Sequence, residues 1–132
     1  MSQLTLKNFR EEIVRFNNRA TDHWNERNLE RFCEGYAEDA VYVAEGQFVR
    51  GRSNIFALYC RAFPSRISMG KLSLRIQDTR FSTYKTDAVV EMAVAIIRWR
   101  VNGTNGNKEN GYSMVTYVAT EHGLQIVQDV ST

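Results

Sequence analysis

Residues 87–101 read DAVVEMAVAIIRWRV, and their alternation places apolar side chains on both faces of one predicted strand. One face carries Ala88, Val90, Met92, Val94 and Ile96, and the other carries Val89, Ala93, Ala95, Ile97 and Trp99. Because both faces are apolar, both need cover. We expect helices to cover one face and a partner subunit to cover the other.

Three further strands are predicted around this one, at 71–81, 112–120 and 124–130. In the first of them, Leu72, Leu74 and Ile76 alternate with polar residues, which is typical of a sheet with one face in water. Turn-forming residues at 102–106 (NGTNG) and 121–123 (EHG) separate the later strands. The second half of the chain therefore predicts a meander of four strands.

The first half predicts three helices and one short strand. The first helix begins after Thr5 and ends near 27–28, and its apolar arc consists of Phe9, Ile13, Phe16, Ala20 and Trp24. The second is short, with the apolar positions Leu29, Phe32, Cys33 and Tyr36. A strand at 40–45 and a turn through 48–52 lead to a third helix, which Ser53 caps and Pro64 ends.

Length and composition limit the class of protein. A chain of 132 residues predicts a single domain, 1–132, of the α+β class, with helices on one face of a mostly antiparallel sheet. A hydrophobic content of 43% and a net charge of +2 exclude disorder and argue against a nucleic-acid partner. No segment has the apolar run of a signal peptide or of a membrane span, so we expect a cytoplasmic protein that does not bind membranes.

The two cysteines, Cys33 and Cys60, lie among apolar residues and are predicted to be buried free thiols. No Cys or His pair has the spacing of metal ligands, so no metal and no other cofactor is expected.

The runs Trp24–Phe32 (WNERNLERF) and Tyr36–Tyr42 (YAEDAVY) resemble the opening of the nuclear-transport-factor-2-like superfamily. The similarity is strongest to its ketosteroid-isomerase-like and SnoaL-like branches of small bacterial proteins, and the ending Gly123–Ser131 (GLQIVQDVS) matches too. This resemblance implies a cystatin-like cone, in which a curved sheet wraps around the first helix and leaves a deep, mostly apolar cavity. It also implies a homodimer formed through the outer face of the sheet.

The resemblance allows a test for ketosteroid isomerase chemistry, which needs a carboxylate base, a donor tyrosine and a protonated carboxylic acid. Aligned on the shared motif, the position of the base falls on Ala44 and that of the tyrosine on Ala20. The third group belongs on the strand at 112–120, which contains no Asp or Glu. We therefore expect no ketosteroid isomerase activity.

Seven residues are the candidates for the cavity wall: Tyr42, His23, Glu91, Asp129, Trp24, Ala44 and Ala20. Tyr42 shares strand parity with Ala44 and either faces the cavity or is a core tyrosine bonded to backbone. His23 is either a general base or a residue at the edge of the helical arc. Glu91 is a candidate base with a raised pKa if it faces the cavity, and a structural residue otherwise. The inward face of the strand that holds Asp129 is ambiguous.

Three functions remain open at this stage. The chain binds a small hydrophobic molecule, or it is an enzyme that acts on one by proton transfer as an isomerase, dehydratase or cyclase. It could also be a dimeric assembly or accessory module, since this type of fold hosts many functions.

Overall fold

The apolar arc of the first helix packs against one face of a six-stranded sheet in the computed structural model, which describes residues 3–65, 67–103 and 108–132. Phe9, Ile13, Phe16 and Trp24 on this arc are all buried. Full burial of such a side chain contributes about 1.5–3 kcal/mol. The helix therefore supplies much of the core between the helical layer and the sheet.

The helices and strands follow one another in mixed order. The helices are α1 (Leu6–Asn25), α2 (Leu29–Cys33) and α3 (Arg52–Ala62), with a 3-10 turn at Ile67–Met69. The strands are β1 (Tyr36–Ala44), β2 (Gln47–Arg50), β3 (Lys71–Phe81), β4 (Met92–Asn102), β5 (Lys108–Thr120) and β6 (Gly123–Ser131). None of the helices within these described ranges is long and apolar enough to cross a lipid bilayer.

The sheet has the strand order β2-β1-β6-β5-β4-β3. Strands β3 to β6 form the predicted antiparallel meander. β1 extends the sheet at the β6 end of this meander, where it pairs parallel to β6. The predicted α+β class, with three helices on a mostly antiparallel sheet, is confirmed.

One face of β4 packs against the helices and the other does not, as the sequence predicts. Ala93, Ala95 and Ile97 are buried on the helical side, whereas Met92 on the opposite side is 42% exposed. The outer face of the sheet thus presents apolar side chains that nothing in the described chain covers.

The long strand predicted at 87–101 begins later than expected. Residues 87–91 do not pair with β3, because the amide of Ala88 turns back to the carbonyl of Lys85 and Val90 bridges to Leu4. The strand at 71–81 is confirmed with its predicted ends. The predicted turn at 102–106 lies largely outside the described residues.

Three predictions for the first half are wrong in detail. Tyr36 does not belong to the second helix, since it opens β1, where the Ile126 amide bonds the carbonyl of Gly35 just before it. Residues 47–50 form the strand β2 because they pair antiparallel with 41–44. Gly51, and not Ser53, occupies the N-cap of α3.

The cysteines differ from each other in exposure. Cys33 is buried as predicted, whereas Cys60 is exposed, which corrects its prediction as a buried thiol. Cys60 lies near the end of the eleven-residue helix α3, on its outer side.

The end of α1 is fixed to the start of β3 by side chains of the Trp24–Arg27 run. The Trp24 indole donates to the carbonyls of Met69 and Gly70, each at 3.2 Å. The Asn25 amide accepts from the Leu72 amide at 2.9 Å and donates to the Leu72 carbonyl at 3.1 Å. The Arg27 guanidinium donates to the carbonyl of Gly70 as well.

We predict that Gly70→Ala lowers the free energy of unfolding by about 3 kcal/mol or more. A left-handed backbone costs an L-residue about 1–2 kcal/mol, and Gly70 has φ +68°. Its added Cβ would also lie 2.5 Å from the Asn102 carbonyl oxygen. Urea denaturation measures the loss.

Gly46→Ala is the matched control, because Gly46 has φ +75° with no atom within 4 Å of the added Cβ. We expect this variant to lose only about 1–2 kcal/mol. Equal losses in the two variants would contradict the close packing of Gly70.

Candidate functional site

A cavity of about 390 Å³ lies between α1, α3 and the inner face of the sheet. Its size is in the range of small-molecule sites, which are about 300–1,000 Å³. Most of the wall is apolar, and its larger apolar rings are Phe16, Trp24, Phe32, Phe63 and Trp99. The wall therefore suits a ligand with a hydrophobic body.

One carboxyl group, that of Asp129 on β6, lies in this wall with only 6% of the residue exposed. The Tyr36 hydroxyl donates to Oδ2 at 2.7 Å, and the Ser131 hydroxyl donates to Oδ1 at 3.0 Å. Since Ser131 donates to Asp129, it accepts from Ser113 at 2.6 Å. Two hydroxyl donors, from β1 and β6, thus hold the carboxyl group in place, and Ser113 on β5 supports the Ser131 hydroxyl.

A series of tyrosines extends from Asp129 along the wall. Tyr36 donates to the carboxylate, so in its 3.2 Å contact with Tyr59 the hydroxyl of Tyr59 is the donor. The Tyr42 ring lies 5.7 Å from that of Tyr59 and 6.3 Å from that of Tyr36. β1 supplies two of these tyrosines and α3 supplies the third.

Burial changes the acidity of the whole group. Loss of water raises the pKa of Asp129 above its ordinary value, and the hydrogen bonds from Tyr36 and Ser131 oppose this rise only in part. Burial, and then the charge of Asp129, also raises the pKa of Tyr36. The tyrosines therefore remain protonated donors, while Asp129 holds its proton to a higher pH than an exposed carboxyl does.

A second polar pair lies where α1 meets β5. The Tyr117 hydroxyl donates to Asn17 Oδ1 at 3.0 Å, and both residues line the cavity. The Asn17 amide nitrogen, Nδ2, is buried and has no hydrogen-bond partner in the described parts of the chain. The indole nitrogen of Trp99, on the β4 side of the wall, is also buried and finds no partner within residues 3–65, 67–103 and 108–132.

The charges on the wall all have one sign. Among the described residues that line the cavity there is no Lys, Arg or His, whereas Asp129, Glu45 and Glu109 each contribute a carboxyl group. Within 3–65, 67–103 and 108–132, no three His, Cys, Asp or Glu side chains are grouped to hold a metal ion.

The structure brings five of the seven predicted wall residues together: Tyr42, Asp129, Trp24, Ala44 and Ala20. Glu91 is not among them, because it precedes β4 and is exposed, with Val90 as the buried residue at that point. His23 is half-buried at the edge of the helical arc and does not line the cavity.

The sequence analysis missed Tyr36, Tyr59 and Asn17 as site residues. The signal for Asn17 is present, since Ile13, Asn17, Ala20 and Trp24 follow one another at steps of four, three and four. A polar residue on an apolar helical arc is a reason to expect a cavity or a buried partner. Tyr36 falls among the apolar positions of the predicted second helix and Tyr59 within the predicted third helix, so the local pattern does not single out their hydroxyls.

The chain and its fold are similar to a known domain family and to several solved structures. The model of the SnoaL-like domain matches residues 18–127. No curated protein matches the chain. Solved structures with the same fold are numerous, and three of them illustrate the similarity.

An NTF2-like protein of unknown function from Shewanella oneidensis MR-1 is 20% identical, with a TM-score of 0.80 over 92% of this chain and 96% of its own. A domain of unknown function with a cystatin-like fold from Nostoc punctiforme PCC 73102 is 21% identical, with a TM-score of 0.75 over 93% and 75%. An NTF2-like protein of unknown function from Pseudomonas putida KT2440 is 14% identical, with a TM-score of 0.74 over 98% and 89%. At these identities the similarity establishes the fold alone.

We predict that Asp129→Asn gains stability relative to the wild type as pH rises from about 4 to 8. Because burial raises the pKa of Asp129 above 3.8, the folded state keeps a proton that the unfolded chain releases. The contribution of Asp129 to stability is complete below the unfolded pKa and is lost as pH rises, and asparagine removes this titration. Urea denaturation at a series of pH values measures the difference.

The exposed Asp22→Asn is the control for the loss of one negative charge. If the difference between Asp129→Asn and the wild type stays constant across the pH series, the raised pKa of Asp129 is wrong.

Proposed function

The chain belongs to the SnoaL-like domain family, and we propose that it binds an uncharged small molecule with a hydrophobic body and a hydroxyl group. The hydroxyl donates to the carboxyl group of Asp129, while the apolar body occupies the rest of the cavity. The position of Asp129, buried in a mostly apolar wall and held by two hydroxyl donors, is the observation that carries this proposal.

The Asp129 carboxylate has acceptor capacity left for a ligand. An ionised carboxylate offers about four lone-pair sites, and Tyr36 and Ser131 occupy one on each oxygen. The protein donors orient the group, and a ligand hydroxyl takes a remaining site. Hydrogen bonds to a charged group contribute about 1.5–3 kcal/mol, which is enough to select hydroxylated ligands.

The charge of the wall favours an uncharged ligand over an anion. Asp129, Glu45 and Glu109 line the cavity, and no basic side chain among the described wall residues opposes them. An anion that enters would lose its water and meet like charges, both of which are unfavourable.

Proton transfer on the bound molecule is a second candidate function. The raised pKa of Asp129 favours it, since a general base works best with a pKa near the working pH. This enzyme would not be a ketosteroid isomerase, because Ala44 and Ala20 occupy the base and donor positions that the alignment assigns. If the protein catalyses proton transfer, it accelerates the exchange of ketone α-hydrogens for deuterium. If it only binds the molecule, that exchange stays at its background rate.

We also propose that two copies of the chain pair through the outer face of the sheet. Tyr112 and Met114 on β5 and Met92 on β4 are between 42% and 48% exposed there. Val94 and Ile96 on β4 extend the same surface. A second copy would cover this apolar surface with an identical one, as in a two-fold symmetric dimer. The predicted cytoplasmic location remains a prediction.

We predict that 5,6,7,8-tetrahydro-2-naphthol binds the protein and that Asp129→Leu weakens this binding about tenfold to a hundredfold, by loss of the acceptor. Calorimetry measures both affinities. The carboxylate analogue, 5,6,7,8-tetrahydro-2-naphthoate, binds more weakly than the naphthol because the wall repels it.

Gln128→Leu is the matched control, since Gln128 is the exposed neighbour of Asp129 on the same strand. It should bind the naphthol as the wild type does. Naphthoate binding as tight as naphthol binding, or unchanged naphthol binding in Asp129→Leu, would refute the proposal.

We predict a dimer at micromolar concentration, and a weakening of dimerisation by about tenfold or more in Met114→Lys, which buries an unpaired charge. Analytical ultracentrifugation measures the mass. Val14→Lys is the control, because Val14 is 45% exposed on α1, away from the outer face. A monomeric wild type, or equal effects of the two variants, would exclude pairing through this face.

A further inference from the structure

Asn17 is a polar side chain with one hydrogen-bonded end, which fixes its orientation, and one end without a hydrogen bond among the described residues. It lies on α1 and is 8% exposed, and its Oδ1 accepts the Tyr117 hydroxyl at 3.0 Å. Because this bond uses the amide oxygen, the amide nitrogen Nδ2 is the free end of the group. That nitrogen is buried and has no partner among the described residues.

A buried donor without an acceptor is unfavourable in a folded protein and calls for an explanation. Asn17 lies in the wall of the cavity, so a molecule inside the cavity is placed to supply the acceptor. The Trp99 indole nitrogen is a second buried donor without a partner in the same wall. The wall therefore holds two buried N–H donors that no acceptor of the described chain satisfies.

The environment of Asn17 limits the kind of acceptor. Phe16 and Ala20 lie near it on α1 as further wall residues, and no Lys, Arg or His among the described residues lines the cavity with the carboxyl groups. A ligand carboxylate or phosphate would meet these negative charges, whereas an uncharged carbonyl oxygen would not. A carbonyl group is therefore the acceptor that fits both the free donor and the charge of the cavity.

We propose that Asn17 is a specificity-determining residue that selects ligands with an uncharged carbonyl group, by donating from Nδ2 to the carbonyl oxygen. This inference rests on the proposed function, and it adds a second polar contact to the one at Asp129. The ligand class is then a compact hydroxy-ketone, with its hydroxyl at Asp129 and its carbonyl at Asn17. Tyr117 acts as a positioning residue, because its hydroxyl holds the amide oxygen and so directs the nitrogen into the cavity.

The test compares two compounds with the same ring skeleton, 6-hydroxy-1-tetralone and 5,6,7,8-tetrahydro-2-naphthol, which differ by the carbonyl group. Calorimetry on the full chain gives both dissociation constants. We expect the wild type to bind the ketone about tenfold more tightly, as one net hydrogen bond allows. In Asn17→Leu we expect this preference to fall to near one, while affinity for the naphthol changes little.

Two further variants control for changes in folding. Asn18→Leu alters the neighbouring exposed residue of α1 and should keep the tenfold preference. Asn17→Met has no donor group, and its thioether sulfur remains a weak acceptor for Tyr117, so it should lose the preference even where Asn17→Leu is unstable. Circular dichroism confirms that each variant is folded.

The outcomes separate this inference from the proposed function. Equal affinity of the wild type for the two compounds, or a preference that survives in Asn17→Met, overturns the role of Asn17 while leaving binding at Asp129 intact. Binding of neither compound overturns the proposed function and this inference with it.

Discussion

The hydrogen bonds between the Asn25 side chain and the backbone of Leu72 hold the end of α1 against the first residues of β3. The side-chain amide of Asn25 accepts from the Leu72 N–H and donates to the Leu72 carbonyl, as a peptide group of a neighbouring strand would. Trp24 adds the contacts with the carbonyls of Met69 and Gly70, and its ring packs edge-on against Phe32 and Phe63. The last turn of α1 is thus fixed at one side of the sheet.

The cavity is a consequence of this attachment. The helix is anchored at β3 and packs on the core with Phe9 and Ile13, while the polar residues of β6 lie across the sheet from it. Tyr59 on α3 and Phe63 at its C-cap form the part of the cavity wall that the helical layer contributes beside α1. Small side chains at Ala20 and Ala44 keep the space open, where larger residues would fill it.

The chemistry of the cavity depends on a carboxyl group that burial disfavours as an ion. Asp129 is retained in a mostly apolar wall by the hydroxyl donors Tyr36 on β1 and Ser131 on β6, and Ser113 on β5 bonds Ser131 in turn. A group of this kind contributes little to stability at neutral pH. Its arrangement therefore fits a role in binding or in proton transfer better than a role in holding the fold together.

Much of the fold follows from the sequence, because alternation and helical spacing are local properties. The strand at 71–81 and the inward direction of Tyr42 were both predictable in this way. Asp129 was ambiguous for a physical reason: Tyr117 pairs with Ile126 and Thr116 with Gln128, so Val127 is an extra residue in β6. This bulge places Ile126 and Asp129, three residues apart, on the same wall, which a period of two does not reveal.

The unpartnered nitrogen of Asn17 was beyond prediction for another reason. Its orientation is set by Tyr117, exactly one hundred positions later in the chain, and no local pattern connects the two. The sequence leaves the direction of Glu91 open for a similar reason, because the Leu4–Val90 bridge that delays the start of β4 joins two distant segments.

A crystal structure of the protein soaked with 5,6,7,8-tetrahydro-2-naphthol tests the central claim most directly. We expect density inside the cavity with the ligand oxygen about 2.7 Å from an oxygen of Asp129. A ligand bound elsewhere, or bound in the cavity with its hydroxyl turned away from Asp129, would contradict it.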